Sequence, residues 1–279
     1  MNTHVQQTHI LAESGGVWAQ LRIEAERGAA TEPRLASYLH ASILHHDRIE
    51  SALSYHLAQK LGGMDMSPLQ LREVCEEAYA GDPSIADLAA RDMRAVRERD
   101  PACRTYLQPF LYFKGYAGLQ AYRISHWLWS QGREILAFHL QSRISELFSV
   151  DIHPAARIGG GVFIDHAHGI VIGETAEVGD DVSMLHSVTL GGTGKARGDR
   201  HPKIHRGVLI GAGAKVLGNI EIGEEARIAS GSVVLHSVPP RCTVAGVPAR
   251  PVGNCTGGAP SQAMDHSLPS AAEADASFG

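Results

Sequence analysis

A six-residue period governs the second half of the chain and restricts its fold more than any other feature. Ile152, Ile158, Ile164 and Ile170 stand six apart, and after a two-residue slip Ile172, Val178, Met184 and Leu190 repeat the spacing. After a longer interruption Ile204, Ile210, Val216, Ile222, Ile228 and Val234 hold the register unbroken. The residues two before these are mostly small or β-branched, among them Ala156, Val162, Ala176, Val208 and Ala214. A helix repeats every 3.6 residues and a half-buried strand every two, so neither fits. A chain that turns a corner every six residues does fit. Three hexads close one triangular coil of short strands, and the aliphatic residues stack inside. Glycines follow the aliphatic residue at Gly159, Gly173, Gly179, Gly191, Gly211 and Gly223, where corners needing positive φ are expected. Coils stacked at about 4.8 Å make a prism of four to five coils about 20–25 Å long.

The first half keeps helical spacing. Leu35, Leu39, Ile43, Leu44, Ile49, Leu53 and Leu57 predict a helix between Pro33 and Leu61. A second runs from Pro68 to Ala80 and stops at Gly81-Asp82-Pro83. A third spans Ser84 to Arg99 and ends at Asp100-Pro101, because the residue before proline leaves helical geometry. Two more are expected over Pro109–Ser130 and Arg133–Phe148. The fold class is therefore α+β: an α-helical domain over residues 1–149, a parallel β-helix of hexapeptide repeats with an extruded loop over 150–253, and a flexible C-terminal tail over 254–279, rich in Gly, Ala, Ser and Pro.

Charge and composition narrow the partners. With 25 Lys and Arg against 30 Asp and Glu, the net charge is -5, which speaks against nucleic acid. No apolar run approaches the roughly 18 residues of a membrane span. Met1 to Ile10 has neither the basic cluster nor the apolar core of a signal peptide. Cys75, Cys103, Cys242 and Cys255 are scattered without a CxxC pair. Neither a disulfide framework nor a cysteine zinc site is expected, and a reducing cytoplasm fits.

In a solenoid, chemistry collects where the repeat breaks. The first break, Asp151 to Gly173, sets Asp165-His166 directly after Ile164, and coil stacking could bring Asp151 close to His166. A carboxylate on one imidazole nitrogen fixes the tautomer and leaves the other to deprotonate an alcohol. The second break, Leu190 to His205, is a loop carrying Lys195, Arg197, Arg200, His201 and Lys203, suited to anionic groups. Its GGTGK string fails as a phosphate loop, which would need Gly at Thr189 and Ser or Thr at Ala196. The third, Ala245 to Arg250, marks the exit from the prism. His153, His166, His168, His186, His201 and His205 also admit a β-helical zinc enzyme of the gamma carbonic anhydrase type, with His201 and His205 as ligands, although no complete ligand set stands out and no metal is expected.

The strings "REVCEEAYAGDPSI", "LYFKGYAGLQAYRISHWLW", "VDIHPAARIGGGVFIDHAHGIVIGETAEVGDDVSMLHSVTLGGTGK", "GDRHPKI", "GVLIGAGAKVLGNIEIG" and "AGVPARPVG" resemble the serine O-acetyltransferase family over about residues 17–253. The resemblance implies a left-handed β-helix, an oligomerising helical domain, and a trimer or dimer of trimers. It implies direct acetyl transfer from acetyl-CoA to the hydroxyl of L-serine, the first step of cysteine synthesis. On matching positions, His166 is the general base and Asp151 orients it. Asp100 and Asp165 hold the serine ammonium, and Arg200 and His201 clamp its carboxylate. The CoA arm lies near Gly192, Thr193, Ala212, Lys215 and Ala229. L-cysteine is the implied feedback inhibitor. A C-terminal Ile often docks into O-acetylserine sulfhydrylase, but this chain ends Ser277-Phe278-Gly279, which speaks against that complex here. His168 departs from the Thr of many relatives. The rivals are a hexapeptide acetyltransferase for a sugar, homoserine or antibiotic hydroxyl, and a scaffold built on an inactive prism.

Overall fold

The computed structural model describes residues 2–194, 197–255 and 258–268. The chain divides into two compact units, Met1–Arg143 and Ile144–Gly279.

The first unit is helical. It contains α1 (Asn2–Thr31), α2 (Ala36–Leu39), α3 (Ile49–Leu61), α4 (Pro68–Gly81), α5 (Ser84–Arg99), α6 (Leu107–Leu111) and α7 (Lys114–Ser130), and α8 (Glu134–Phe148) begins in it. Local chemistry sets several ends. Ser67 and Gln70 form a reciprocal capping box at the start of α4. Asp100 is extended at ψ 109° ahead of Pro101 and ends α5.

Two expected helices are interrupted. The segment from Pro33 to Leu61 passes through a π-helical turn over His40–Leu44, and Arg48 is then extended at φ -139° and ψ 153°. The wide turn resets the phase, so the apolar spacing survives while the helix does not. The segment Pro109–Ser130 breaks at Phe113, which is also extended. Helix α1 escapes the spacing analysis, although Val17, Leu21 and Ala25 form its buried stripe.

His56 of α3 is buried against the ring of Phe110. Burial first, and the charge of Lys60 second, push its pKa down to about 3. The unfolded chain binds a proton at this residue below about pH 6.5, while the folded chain resists doing so down to about pH 3. Stability is therefore full above this window and falls as the pH drops, by about 1.4 kcal/mol per pH unit. Chemical denaturation of the full chain should show that decline, and His56→Phe should reduce its slope by one proton. An unchanged slope in the variant would place the proton elsewhere.

The second unit is the β-helix. Its strands are β1 (Val150–Ile152), β2 (Arg157–Ile158), β3 (Phe163–Ile164), β4 (Ile170–Ile172), β5 (Glu177–Val178), β6 (Ser183–Met184), β7 (Thr189–Gly191), β8 (Lys203–Ile204), β9 (Leu209–Ile210), β10 (Lys215–Leu217), β11 (Glu221–Ile222), β12 (Arg227–Ile228), β13 (Val233–Val234), β14 (Thr243–Gly246) and β15 (Ala249–Pro251). They form three sheets ordered β1-β4-β7-β10-β13, β11-β8-β5-β2 and β15-β14-β12-β9-β6-β3. All neighbours are parallel except β14 and β15. The hexad residues make the columns: Ile152, Ile172, Leu190, Val216 and Val234 line one sheet, and Ile164, Met184, Ile210, Ile228 and Val244 another. These residues are all buried.

The glycines after the aliphatic positions serve a different purpose from the one expected. None of the six has positive φ. At Gly159, Gly179, Gly211 and Gly223 a β-carbon would lie 2.5–2.9 Å from a backbone nitrogen of the next coil, so glycine is required by close approach. The left-handed corners lie elsewhere, at Ser149, Gly169, Ser187, Gly213 and Gly231 on one edge.

The structure also corrects the reading of the cysteines and of the described part of the tail. Cys242 and Cys255 form a disulfide. The tail includes α9 (Pro260–Ala263), held on the prism. Ser183 Oγ donates to Ser261 O at 2.8 Å, and Arg227 Nη1 donates to Asp265 O at 3.0 Å. Pairings between residues so far apart leave no periodic trace in the sequence.

Candidate active site

The β1-β4-β7-β10-β13 sheet carries an outward ridge. Asp151, Val171, Thr189, Lys215 and Val233 are consecutive Cα partners along it, and each lies between inward-facing neighbours. A corner bounds the ridge on either side.

The first corner joins β3 to β4. Phe163 pairs with Ser183, twenty residues on, whereas Val171 pairs with Thr189, eighteen on. Two extra residues therefore sit between β3 and β4, and they account for the slip in the period. They are His166 and Ala167, at φ 59° and 61°. Consecutive non-glycine residues in the left-handed region are costly, about 1–3 kcal/mol each. Backbone bonds hold them: Ala167 N–H donates to Asp165 O at 2.7 Å and His168 N–H to His166 O at 2.9 Å. Ala167 is fully buried, and its methyl group plugs the corner. His166 is thrown outward, its side chain 72% exposed, with Nε2 3.7 Å from Asp165 Oδ2. That separation is too long for a hydrogen bond, and the exposed ring leaves room for an incoming hydroxyl. His186, one coil on, meets the His166 ring edge to face at 6.0 Å between centroids. Ala212 and Ala229 continue the same edge: Gly231 N–H donates to Ala212 O at 2.7 Å, and Ala229 N–H to Val244 O at 2.9 Å. Lys215 opens the strand that follows, and its Nζ donates to Ser187 O.

The second corner gathers His153, Glu174, Thr175, Arg200 and His201. Thr175 organises it. Its Oγ1 accepts from the N–H groups of Arg200 (3.0 Å) and His201 (3.1 Å) and lies 2.9 Å from His201 Nδ1. The Thr175 N–H also donates to that Nδ1, at 3.1 Å. With Nδ1 accepting, the neutral ring carries its proton on Nε2. Burial, followed by the charge of Arg200, lowers the pKa of His201. Burial likewise lowers that of His153, against the opposing pull of Glu174. Both rings are thereby favoured in the neutral state. A β-carbon on Gly173 would overlap His201 at Nε2, so only glycine admits the ring. Arg200 Nη2 donates to Glu174 Oε2 at 2.6 Å, which holds the Glu174 carboxyl below its ordinary range. A substrate carboxylate at Arg200 must therefore displace or share that partner.

The structure thus brings His166, Ala212 and Ala229 to one edge and Arg200 with His201 to the other, with Asp151 and Lys215 on the ridge between them. Gly192 packs against Arg200, and Thr193 lies beside Gly218. Lys203 is occupied by Asp199 at 2.6 Å and Thr175 O at 2.5 Å. Asp100 belongs to the helical unit, where it accepts from Ala102 N–H at 2.8 Å. Lys195 and the Ser277-Phe278-Gly279 terminus lie outside the described residues. The zinc pair does not assemble: His205 Nε2 bonds Glu221 Oε2 at 2.5 Å, and among the described residues no three ligating side chains converge. Glu174 and Thr175 were not singled out from the sequence. Their signal is a polar pair in a hexad slot directly after Gly173.

The chain is similar to known proteins over most of its length. Residues 17–121 match the family model for the serine acetyltransferase N-terminal region, and residues 201–236 match the bacterial transferase hexapeptide of six repeats. The chain is 59% identical to the serine acetyltransferase of Escherichia coli strain K12, over 89% of this chain and 91% of the relative. A serine acetyltransferase solved in complex with cysteine superposes with a TM-score of 0.90 at 53% identity, covering 92% of this chain and all of that one. The Brucella abortus strain S19 serine acetyltransferase, solved with coenzyme A, gives a TM-score of 0.84 at 50% identity over 86% and 96% of the two chains.

Proposed function

Since the chain belongs to the serine acetyltransferase family, acetyl-CoA-dependent acyltransferases, we propose that it moves the acetyl group to the hydroxyl of L-serine by direct attack in a ternary complex. The observation that carries this reading is the two-residue bulge that exposes His166 beside Asp165 at 3.7 Å. His166 takes the proton of the serine hydroxyl as its oxygen attacks the thioester carbonyl, and the same proton passes to the departing thiolate. Asp151 orients the ring. Asp165 holds the serine ammonium, which keeps the amine protonated and directs acylation to oxygen. His201, neutral and carrying its proton on Nε2, and Arg200, released from Glu174, bind the carboxylate. The CoA arm runs past Gly192, Thr193, Ala212, Lys215 and Ala229, where backbone N–H groups can stabilise the oxyanion. Free L-cysteine competes for the serine site, and the protein assembles as a trimer or dimer of trimers.

The test is thiol release from acetyl-CoA with L-serine, D-serine and homoserine as acceptors. Strong release with L-serine alone, competitively suppressed by L-cysteine, is expected. Absence of L-serine-dependent release would sink the proposal, and a preference for homoserine would transfer it to the neighbouring acceptor class.

A further inference from the structure

His186 belongs to no motif that points to catalysis, yet it occupies the position on the prism edge directly after the His166 corner. Its ring stands at 76° to that of His166 with centroids 6.0 Å apart. Its backbone is pinned, because Gly213 N–H donates to His186 O at 2.9 Å. Its Nδ1 is sealed from solvent and has no hydrogen-bond partner among the described residues. A sealed, unpartnered nitrogen is a cost that an apolar side chain would avoid. The next coil on this edge does carry an apolar residue, Ala212. A contact that the structure does give this imidazole is the ring of His166.

We propose that His186 is a positioning residue for His166. Perpendicular ring packing holds the exposed imidazole across the mouth of the corner, where rotation about its side chain is otherwise unrestrained by burial. The rate of proton transfer depends on the orientation of this ring, and a misplaced base loses rate without losing substrate. The contact therefore acts on turnover more than on binding. This inference rests on the general-base reading of His166.

Steady-state kinetics of His186→Leu and His186→Phe in the full-length protein test it. His186→Leu should lower kcat about three- to tenfold, a partial loss of the base's orientation. KM for L-serine and for acetyl-CoA should stay within about twofold, since uniform binding is not removed. His186→Phe keeps the ring and removes the nitrogens, and it should recover most of the loss. Equal kcat for wild type and His186→Leu would overturn the inference, as would a Phe variant no better than Leu. His166→Ala measured alongside separates the two claims. If that variant keeps wild-type kcat, the general-base reading falls. If it is inactive while His186→Leu is unimpaired, only the positioning role falls.

Discussion

Replacing His166 by Asn is expected to cut kcat by about a hundredfold to ten-thousandfold, the range over which a positioned general base accelerates proton transfer. Asn is the informative substitution because it tolerates the left-handed region better than most residues. The corner at φ 59° can therefore survive while the base is lost. KM for L-serine should change little, because Asp165, Arg200 and His201 remain to hold the charged ends of the substrate. The measurement is initial-rate thiol release over a serine titration, with circular dichroism to confirm the fold. Wild-type kcat in His166→Asn would remove this residue from the chemistry even if the activity itself were confirmed.

A second large effect is expected far from the chemistry, in the helical unit. Asp92 on α5 and Arg123 on α7 form an ion pair with side chains 0% and 3% exposed, at 2.7 Å. Arg123 Nε and Gln120 Nε2 donate to the same Asp92 oxygen, each at 3.0 Å. Asp92→Ala leaves a guanidinium buried without this carboxylate, and breaking such a pair on one side costs about 3–5 kcal/mol. Replacing both partners with apolar residues, Asp92→Leu with Arg123→Met, should cost much less, because no buried charge is then stranded. Urea denaturation of Asp92→Leu, Arg123→Met and the double variant gives the coupling directly. A loss below about 1 kcal/mol in Asp92→Ala would mean that the guanidinium is satisfied without this carboxylate, by other groups or by water.

Some of this was legible in the residues. The hexad aliphatics Ile152 to Val234 form the interior columns, in the order their spacing implies. Helix α5 begins at Ser84 and ends at Arg99, as its flanking prolines require. The break between Ile164 and Ile172 marked the place where His166 leaves the repeat. Other features were hidden for identifiable reasons. The π-helical turn at His40–Leu44 preserves apolar spacing while redirecting the chain, so spacing could not reveal it. The glycines after each aliphatic residue look like turn glycines, but it is the neighbouring coil that excludes a side chain there. Thr175 reaches His201 across 26 residues, and Cys242 joins Cys255 outside any recognisable motif.

The period of six and the helix-ending residues determined the architecture by themselves, because each cap is set by its nearest neighbours in the chain and every hexad repeats the same inward position, whichever coil it pairs with. Which side chains meet was decided only by the tertiary structure. Stacking places residues together across coils, and the lengths of two insertions set that register: the pair His166-Ala167, and the loop between β7 and β8. Those insertions leave the core columns unchanged. They put His166 beside Asp165 and His186 on one edge, and Arg200 and His201 on the other, because the hydrogen bonds between coils resume in register on either side of each interruption.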